Sequence, residues 1–331
     1  MVDTGSCAYG LGARVWPIRR GKNFWWKARR RGGVVMETVS VVIPVYNGAQ
    51  TIRRAIDSAL GQSWKEREVI VVDDGSTDGT FALLEGYGNR IRAIHQSNCG
   101  VALARNAAIE QAKGDYVAFL DADDEWLPEK LEIQVGVLRS MPDVGVLGGG
   151  SEWKKGGEGR FQVPASREVS LESLLFGNPL CTSTVVVRTS ILRESSLRFW
   201  QELQGPEDWH LWIRLAGRTR LWNDKRIVAR HYLTEESISR RDCSGLLARY
   251  GQMYERLFSN LLNDPAVSPM VRRRWDDIEL NVEMLKFRIL VTTQPLEALA
   301  RWWRVARRLR SATQIRLCMR SLVAGLYHSL G

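Results

Sequence analysis

Histidine and cysteine are scarce in this chain of 331 residues, at four and five respectively. The cysteines (Cys7, Cys99, Cys181, Cys243 and Cys318) are scattered, form no C-x-x-C pair and have no histidine at ligand spacing. That pattern implies neither a zinc module nor a disulfide frame. His95, His231 and His328 lack partners at ligand spacing and are read as structural. No run approaches the roughly 18 apolar residues needed to cross a bilayer. Residues 1–30 also lack an apolar core followed by a small-residue cleavage site, so the sequence reads as cytoplasmic. Nothing repeats internally, which excludes a solenoid. No G-x-G-x-x-G follows the first β-rich run, which argues against a dinucleotide-dependent dehydrogenase.

Acidic residues are nearly absent from the two ends. Residues 1–35 carry eight Lys/Arg against Asp3 alone, and residues 301–331 carry seven Arg and no acid, so each end is +7. The formal charge of +10 therefore conceals a body, 36–300, with 32 basic and 36 acidic side chains. Two basic ends on a mildly acidic body suit an anionic membrane face or plain solvation better than a groove following nucleic-acid phosphates. Residues 1–35 show neither period 2 nor period 3.6, and Met36-Glu37-Thr38 leads directly into an apolar strand. The stretch 1–36 is read as a disordered or spurious tail with Met36 the natural start; the rival is a basic tether using Trp16, Trp25, Trp26 and Arg29 to Arg31.

From Val39 the pattern alternates. Val39-Ser-Val-Val-Ile-Pro-Val is a β-branched run of the kind a strand buried on both faces requires, and Tyr46-Asn47-Gly48 turns the chain. Ile52, Ala55, Ile56, Ala59 and Leu60 then recur at helical spacing up to Gly61. A second strand over Glu68–Val72 runs into Asp73-Asp74-Gly75-Ser76-Thr77-Asp78-Gly79. A short helix to Glu85, a strand over Ile91–Gln96, a helix over Val101–Ala112 and a strand over Tyr116–Leu120 follow, the last ending at Asp121-Ala-Asp123-Asp124. Further on the pattern predicts a helix over Pro128–Arg139, a strand over Val144–Leu147, a glycine-rich loop from Gly148 to Gly159 and a helix over Leu171–Phe176. A strand over Thr184–Val187, a helix over Glu207–Ala216 and a strand over Arg226–Tyr232 complete the alternation, and beyond Asp242 it becomes helical. Such alternation predicts a mostly parallel sheet with flanking helices, whose ligands lie beyond the carboxyl ends of the strands.

Those ends carry the acids. Asp73, Asp74, Asp121 and Asp123 are expected to converge with no Lys or Arg in their immediate flanks, and mutual repulsion then demands a cation. Asp121 and Asp123 are two apart on an extended segment and leave the same face. Magnesium or manganese commonly takes one or two carboxylates and completes its shell with phosphate oxygens, so a metal-bridged diphosphate is the expected ligand. Asp-rich turns also serve as caps, and Asp78 or Thr77 is expected to be one.

Five blocks in order now carry a resemblance: Val42-Ile-Pro-Val-Tyr-Asn-Gly48, Val71-Val-Asp-Asp-Gly-Ser-Thr-Asp-Gly-Thr80, Asn98-Cys-Gly-Val-Ala-Leu-Ala-Arg-Asn106, Phe119-Leu-Asp-Ala-Asp-Asp124 and Glu207-Asp-Trp-His-Leu-Trp212. Over about residues 38–240 the chain resembles the family-two inverting glycosyltransferases of bacterial cell-surface polysaccharide type. The resemblance implies an α/β fold of the GT-A class, Rossmann-like with a mostly parallel sheet flanked by helices, over 37–240, followed by a helical region over 241–331. It implies that Pro44, Tyr46, Asn47, Asp73 and Asp74 surround the nucleotide, that Arg105 approaches the nucleotide or diphosphate, that Asp121 meets the ribose and that Asp123 holds Mn2+ or Mg2+. The implied partners are a nucleotide-diphosphate sugar, with UDP favoured, and a saccharide or lipid-linked acceptor. Asp208 is the expected general base, held at the start of a helix by Trp209, Leu211, Trp212 and Leu215, with Glu207 the alternative base or an acceptor-site residue. Two departures fall on the acceptor side: Arg193 to Gln204 lacks the family's Gly-Gly-Phe-Asp, and His210 stands where a second acid is common.

Two other readings of the same residues are a catalytically silent nucleotide-sugar-binding or scaffold protein of polysaccharide assembly and a nucleotidyltransferase. The second usually needs a basic loop after the first strand, and Asn47-Gly48-Ala49-Gln50 has no basic residue. Near the C-terminus, Leu296, Leu299, Trp303 and Ala306 fall on one helical face and Arg301, Arg304, Arg307 and Arg308 on the other. Such a helix either lies peripherally on an anionic leaflet or packs on the catalytic domain with a solvated arginine face.

Overall fold

Strand β1 (Val39–Val45) is buried along its whole length, as its unbroken β-branched run requires. It pairs in parallel with β2 (Arg67–Asp73) on one side and β4 (Tyr116–Phe119) on the other, and β2 pairs in parallel with β3 (Arg92–His95). Pro44 is tolerated in this central strand for a local reason. Val42 is the last residue of β1 paired with β4, and its carbonyl accepts Leu120 N–H. The next position facing that side is Pro44, where no ladder bond is demanded. The computed structural model describes residues 37–155, 158–164, 167–203, 205–232, 253–293 and 302–303.

The helices expected between these strands form close to the expected bounds. They are α1 (Ile52–Leu60), α2 (Thr80–Glu85), α3 (Val101–Gln111) and α4 (Lys130–Ser140). α1 buries Ile52, Ala55, Ile56 and Ala59, the stripe read from its spacing. Beyond β4 the sheet becomes mixed. Its order is β3-β2-β1-β4-β9-β6-β10-β5, with β7 on β6 and β8 on β10. Here β5 is Glu125–Trp126, β6 Val144–Lys155, β7 Glu158–Gln162, β8 Arg167–Glu168, β9 Val186–Arg188 and β10 Arg220–Tyr232. β9 is antiparallel to both β4 and β6, while β6 and β10 are parallel. The first four strands in sequence thus give the parallel half of the sheet.

The expected loop at Gly148–Gly159 is instead strand. β6 runs through Gly148, Gly149 and Gly150 and returns through β7. These three glycines answer crowding, since a Cβ at each would lie 2.5 Å from Leu180 Cδ2, 2.7 Å from Val228 Cγ2 and 2.8 Å from Ile227 Cδ1 respectively. A glycine run in a strand marks close approach of neighbours as well as it marks a loop. The strand expected at Arg226 begins earlier, at Arg220, with register shifts between Asn223 and Ala229. Short helices α5 (Leu171–Leu174) and α6 (Thr189–Ser195) precede α7 (Glu207–Ala216), which forms at its expected bounds.

The chain divides into two compact units. The first ends at Ser170 and resumes over Asn178–Leu233; the second takes Leu171–Gly177 and the chain from Thr234. The second unit is helical where described, with α8 over 253–261, α9 (Ser268–Arg273) and α10 (Trp275–Thr293). Arg274 there pairs with Glu172 at 3.4 Å and Asp277 at 3.1 Å and lies over the Phe176 ring. The basic tail 1–36 lies outside the described residues, as does the amphipathic segment 296–310 except for Trp302 and Trp303. Among the described residues no helix is long and apolar enough to cross a membrane.

Gly150→Ala is predicted to destabilise the first unit. The added Cβ would meet Ile227 Cδ1 at 2.8 Å and the Gln162 carbonyl at 3.0 Å. Overpacking of this kind costs about 1–3 kcal/mol. A lowered urea midpoint at unchanged slope is expected, and an unaltered midpoint contradicts the crowding argument.

Candidate active site

The turns after β1 and β2 are latched to each other before either meets a ligand. Asn47 adopts φ 51°; its N–H donates to Ser76 Oγ at 2.9 Å, and its Oδ1 accepts Thr77 N–H at 2.8 Å. Gly48 N–H donates to Thr80 Oγ1, and Asp78 accepts from Ala49 N–H and Thr80 N–H. Asp78, expected as a helix cap, closes the turn instead, because the N-cap position of α2 falls on Gly79 and carries no side-chain cap bond. Tyr46, beside this latch, is 52% exposed. Pro44 is buried in β1.

Asp73 and Asp74 are both buried and both supplied with donors. Asp73 Oδ1 accepts Ser76 N–H at 3.1 Å, and Oδ2 lies 2.7 Å from His95 Nδ1. Asp74 accepts Gln96 Nε2, Cys99 N–H and Gly100 N–H at 2.7–2.9 Å, which folds the segment entering α3 onto the end of β2. The repulsion expected among Asp73, Asp74, Asp121 and Asp123 therefore reduces to the loop after β4, because the two β2 acids have local partners of their own.

That loop holds three acids in four positions, each in a different situation. Asp121 Oδ1 accepts Arg105 Nη2–H at 2.7 Å. Asp124 is buried and accepts Ser183 Oγ–H at 2.5 Å and a bond from His231 Nδ1 at 2.7 Å. Asp123 has no side-chain partner among the described residues, while its backbone carbonyl is held by Arg54 Nη2 from α1. The Asp123 carboxyl keeps access to solvent, yet the packing around it strips away water. That loss of hydration, then the charges of Asp124 and Asp121, push it up to about 6. His231 continues inward, with Nε2 3.1 Å from Cys181 Sγ and the ring 4.5 Å from Trp153. Burial alone would lower His231; its bonds to Asp124 and Cys181 outweigh that and raise it to about 11.

Arg105 joins this loop to α7. Carried on α3 and almost fully buried, it donates Nη2–H to Asp121 and Nη1–H to Glu207 Oε1, both at 2.7 Å, and lies 5.2 Å from the Phe199 ring centre. Burial opposes the charge on the guanidinium, but Asp121 and Glu207 together raise its pKa. The residue expected to approach the nucleotide or diphosphate thus has both Nη groups on protein carboxylates in this structure. Glu207 is also committed, since its Oε2 accepts Gly205 N–H at 2.8 Å, and Gly205 adopts φ 119°, in the region that favours glycine.

Asp208 differs from its neighbour. It is half-buried, and its Oδ2 accepts Thr182 Oγ1–H at 2.8 Å and Asn178 Nδ2–H at 3.1 Å. Burial and then the charge of Glu207 push its carboxyl up to about 6, against the opposing hydrogen bond from Thr182 and the charge of Arg105. Buried Trp209, Leu211, Trp212, Ile213 and Leu215 fix the helix beneath it. Thr182, Asn178, Ser183, Cys181 and His231 carry no motif of their own. Only the packing of β9 and β10 beside β4 and β6 brings them here, although the scarcity of histidine was a signal at His231.

Arg105→Met is predicted to cost about 3–5 kcal/mol, the range for removing one partner of a buried ion pair. Arg105→Met combined with Glu207→Gln should recover part of that loss. Chemical denaturation of the three proteins measures both effects, and a single variant as stable as wild type would contradict the clasp.

Residues 40–190 match the family model described as Glycosyl transferase family 2. A glycosyltransferase of Rickettsia typhi described as uncharacterized is 31% identical over 242 residues, 70% of this chain and 74% of the relative. The UDP-Glc:alpha-D-GlcNAc-diphosphoundecaprenol beta-1,3-glucosyltransferase WfgD of Escherichia coli is 28% identical over 242 residues, 72% of this chain and 84% of the relative. Other relatives are longer, and the chain spans 34% and 40% of the length of those from Rickettsia bellii and Rickettsia felis. In fold, the chain is similar to S. aureus TarS 1-349 in complex with UDP-GlcNAc (TM-score 0.58, 22% identity, 88% of this chain and 91% of that one). It is likewise similar to the mannosyltransferase PcManGT from Pyrobaculum calidifontis in complex with GDP-Man and Mn2+ (TM-score 0.58, 19% identity, 89% and 87%). With its five motif blocks in order on the α/β fold of the GT-A class, the chain belongs to glycosyl transferase family 2.

Proposed function

We propose that the protein is an inverting glycosyltransferase that moves a sugar from a nucleoside diphosphate to a hydroxyl of a saccharide or lipid-linked saccharide, with Asp208 as general base. The observation that carries this reading is the contrast within the Glu207-Asp208 pair. Glu207 is buried and ion-paired with Arg105, whereas Asp208 is half-buried on a fixed helix, accepts only from the neutral donors Thr182, Asn178 and Trp209 N–H, and has its carboxyl pushed up to about 6. A base with that pKa is ionised at neutral pH and still basic enough to take a proton in the transition state. The hydroxyl proton passes to Asp208, the acceptor oxygen bonds to the anomeric carbon, and the bond from that carbon to the diphosphate oxygen breaks with inversion.

A hard divalent ion, Mn2+ or Mg2+, fits Asp123, the one member of the Asp121–Asp124 group with no side-chain partner among the described residues. Among those residues no cluster of three or more His, Cys, Asp or Glu could hold an ion by itself, which suits an ion that completes its shell with donor phosphate oxygens. When bound, such an ion offsets charge on the departing diphosphate. Tyr46, exposed at the end of β1, offers a ring on which a base stacks; Pro44, Asn47, Asp73 and Asp74 shape the two turns beside it. Asp121, fixed by Arg105, is the proposed ribose contact. UDP is favoured as the nucleotide because WfgD is named for UDP-Glc and TarS is described with UDP-GlcNAc. The diphosphoundecaprenol-linked substrate in the name of WfgD supports a lipid-linked acceptor, reached by peripheral contact with the membrane.

Asp208→Asn is predicted to keep UDP binding while lowering kcat by about 10²–10⁴-fold, the usual contribution of a general base. In the wild type, transfer should be constant above pH about 6 and fall about tenfold per unit below it, as Asp208 takes up its proton. UDP is predicted to raise Tm more with Mn2+ than without it, and Asp123→Ala should remove the difference. Transfer at the wild-type rate by Asp208→Asn would move the base elsewhere. A Tm indifferent to every nucleoside diphosphate would remove the donor site.

A further inference from the structure

Val45, Asp73 and His95 are register partners, so the carboxyl ends of β1, β2 and β3 form one row along the sheet edge. Tyr46 follows directly at the β1 end of that row. Asp73, in the middle, is 0% exposed with one oxygen on Ser76 N–H and the other on His95, so no face of its carboxylate is open to a ligand. His95 stands in front of it. Its side chain is 44% exposed, its ring packs edge-on against Phe81 with centroids 5.3 Å apart, and Nδ1 is anchored on Asp73 at 2.7 Å. Among the described residues nothing bonds its Nε2.

These relations fix what the exposed edge of the ring offers. With a carboxylate accepting at Nδ1, the Nδ1 proton stays in place, and in the neutral form of the ring Nε2 is a bare acceptor. Phe81 and the Asp73 bond together hold the ring, so the acceptor is aimed before any ligand arrives. A uracil carries one ring N–H, at N3, and a guanine one at N1; each is a donor that an aimed acceptor can read. We infer that His95, rather than Asp73, is the residue that reads the ring N–H of the donor's nucleobase, with Asp73 acting behind it as a positioning residue. The inference rests on the nucleotide-sugar reading above and adds to it the residue that selects the base.

The test is calorimetric titration with Mn2+ present, using two pairs of nucleotides: UDP with N3-methyl-UDP, and GDP with N1-methyl-GDP. The wild type should prefer the unmethylated member of the pair it binds by at least tenfold. His95→Phe keeps a ring against Phe81 but has no acceptor, and it should bind both members within about threefold of each other. His95→Gln returns an amide oxygen near the position of Nε2 and should restore most of the preference, an outcome that a merely structural role for His95 does not produce. If the wild type binds a nucleotide but ignores the methyl group, or if His95→Phe keeps the full preference, the inference fails and the donor site stands. If no nucleotide of either pair binds the wild type, the donor-site reading fails and this inference falls with it.

Discussion

One arginine sets the geometry on which the site depends. Arg105 is buried on α3, and a guanidinium in that position persists only if its fork meets carboxylates that neutralise it. It meets two, Asp121 from the end of β4 and Glu207 from the start of α7, at the same distance of 2.7 Å. The planar fork of arginine suits a two-sided bridge of this kind in a way that a lysine ammonium does not. Through it, the loop after β4, at the border between the parallel strands and antiparallel β9, and a helix more than eighty residues later in the chain are held in one arrangement. Glu207 is thereby ion-paired in this structure, and Asp208 beside it has a different environment. Two adjacent carboxylates thus acquire two environments from their surroundings alone.

The other acids illustrate the same logic on a smaller scale. Asp73, Asp74, Asp78 and Asp124 all face protein donors, and each uses them to fix a turn or an aromatic ring. Asp123 has no side-chain donor among the described residues, and loss of hydration, then the charges of Asp124 and Asp121, move its carboxyl up to about 6. In this acidic loop Asp123 is the one member without a side-chain partner among the described residues, which is why the proposed cation is assigned to it. Arg54 supports the arrangement from below by gripping the backbone carbonyl of Asp123 while its own guanidinium lies 3.7 Å from the Tyr232 ring centre.

Much of this was legible in the sequence because it was written in local patterns. The β-branched run of β1, the stripe on α1 and the packed face of α7 each follow from a period, and they formed where the period placed them. The acids at the strand ends were also legible as positions. Their individual duties were not, since these depend on partners distant in sequence: His95 for Asp73, Gly100 for Asp74, and Ser183 and His231 for Asp124. The glycines at 148–150 misled for a physical reason, in that glycine serves both free loops and strands pressed against bulky neighbours. The charge of Arg105 is visible in sequence and its burial is not. The carboxylates that claim it come from β4 and α7, sixteen and 102 residues away.

The most direct test is a crystal of the protein grown with UDP and Mn2+, with diffraction recorded at the manganese absorption edge. The account predicts an anomalous peak on an Asp123 carboxylate oxygen, with Arg105 still clasping Asp121 and Glu207 and the Asp208 carboxylate facing the ion's side of the site. A peak remote from Asp123, or Arg105 released from Glu207 and turned onto the diphosphate, would contradict it.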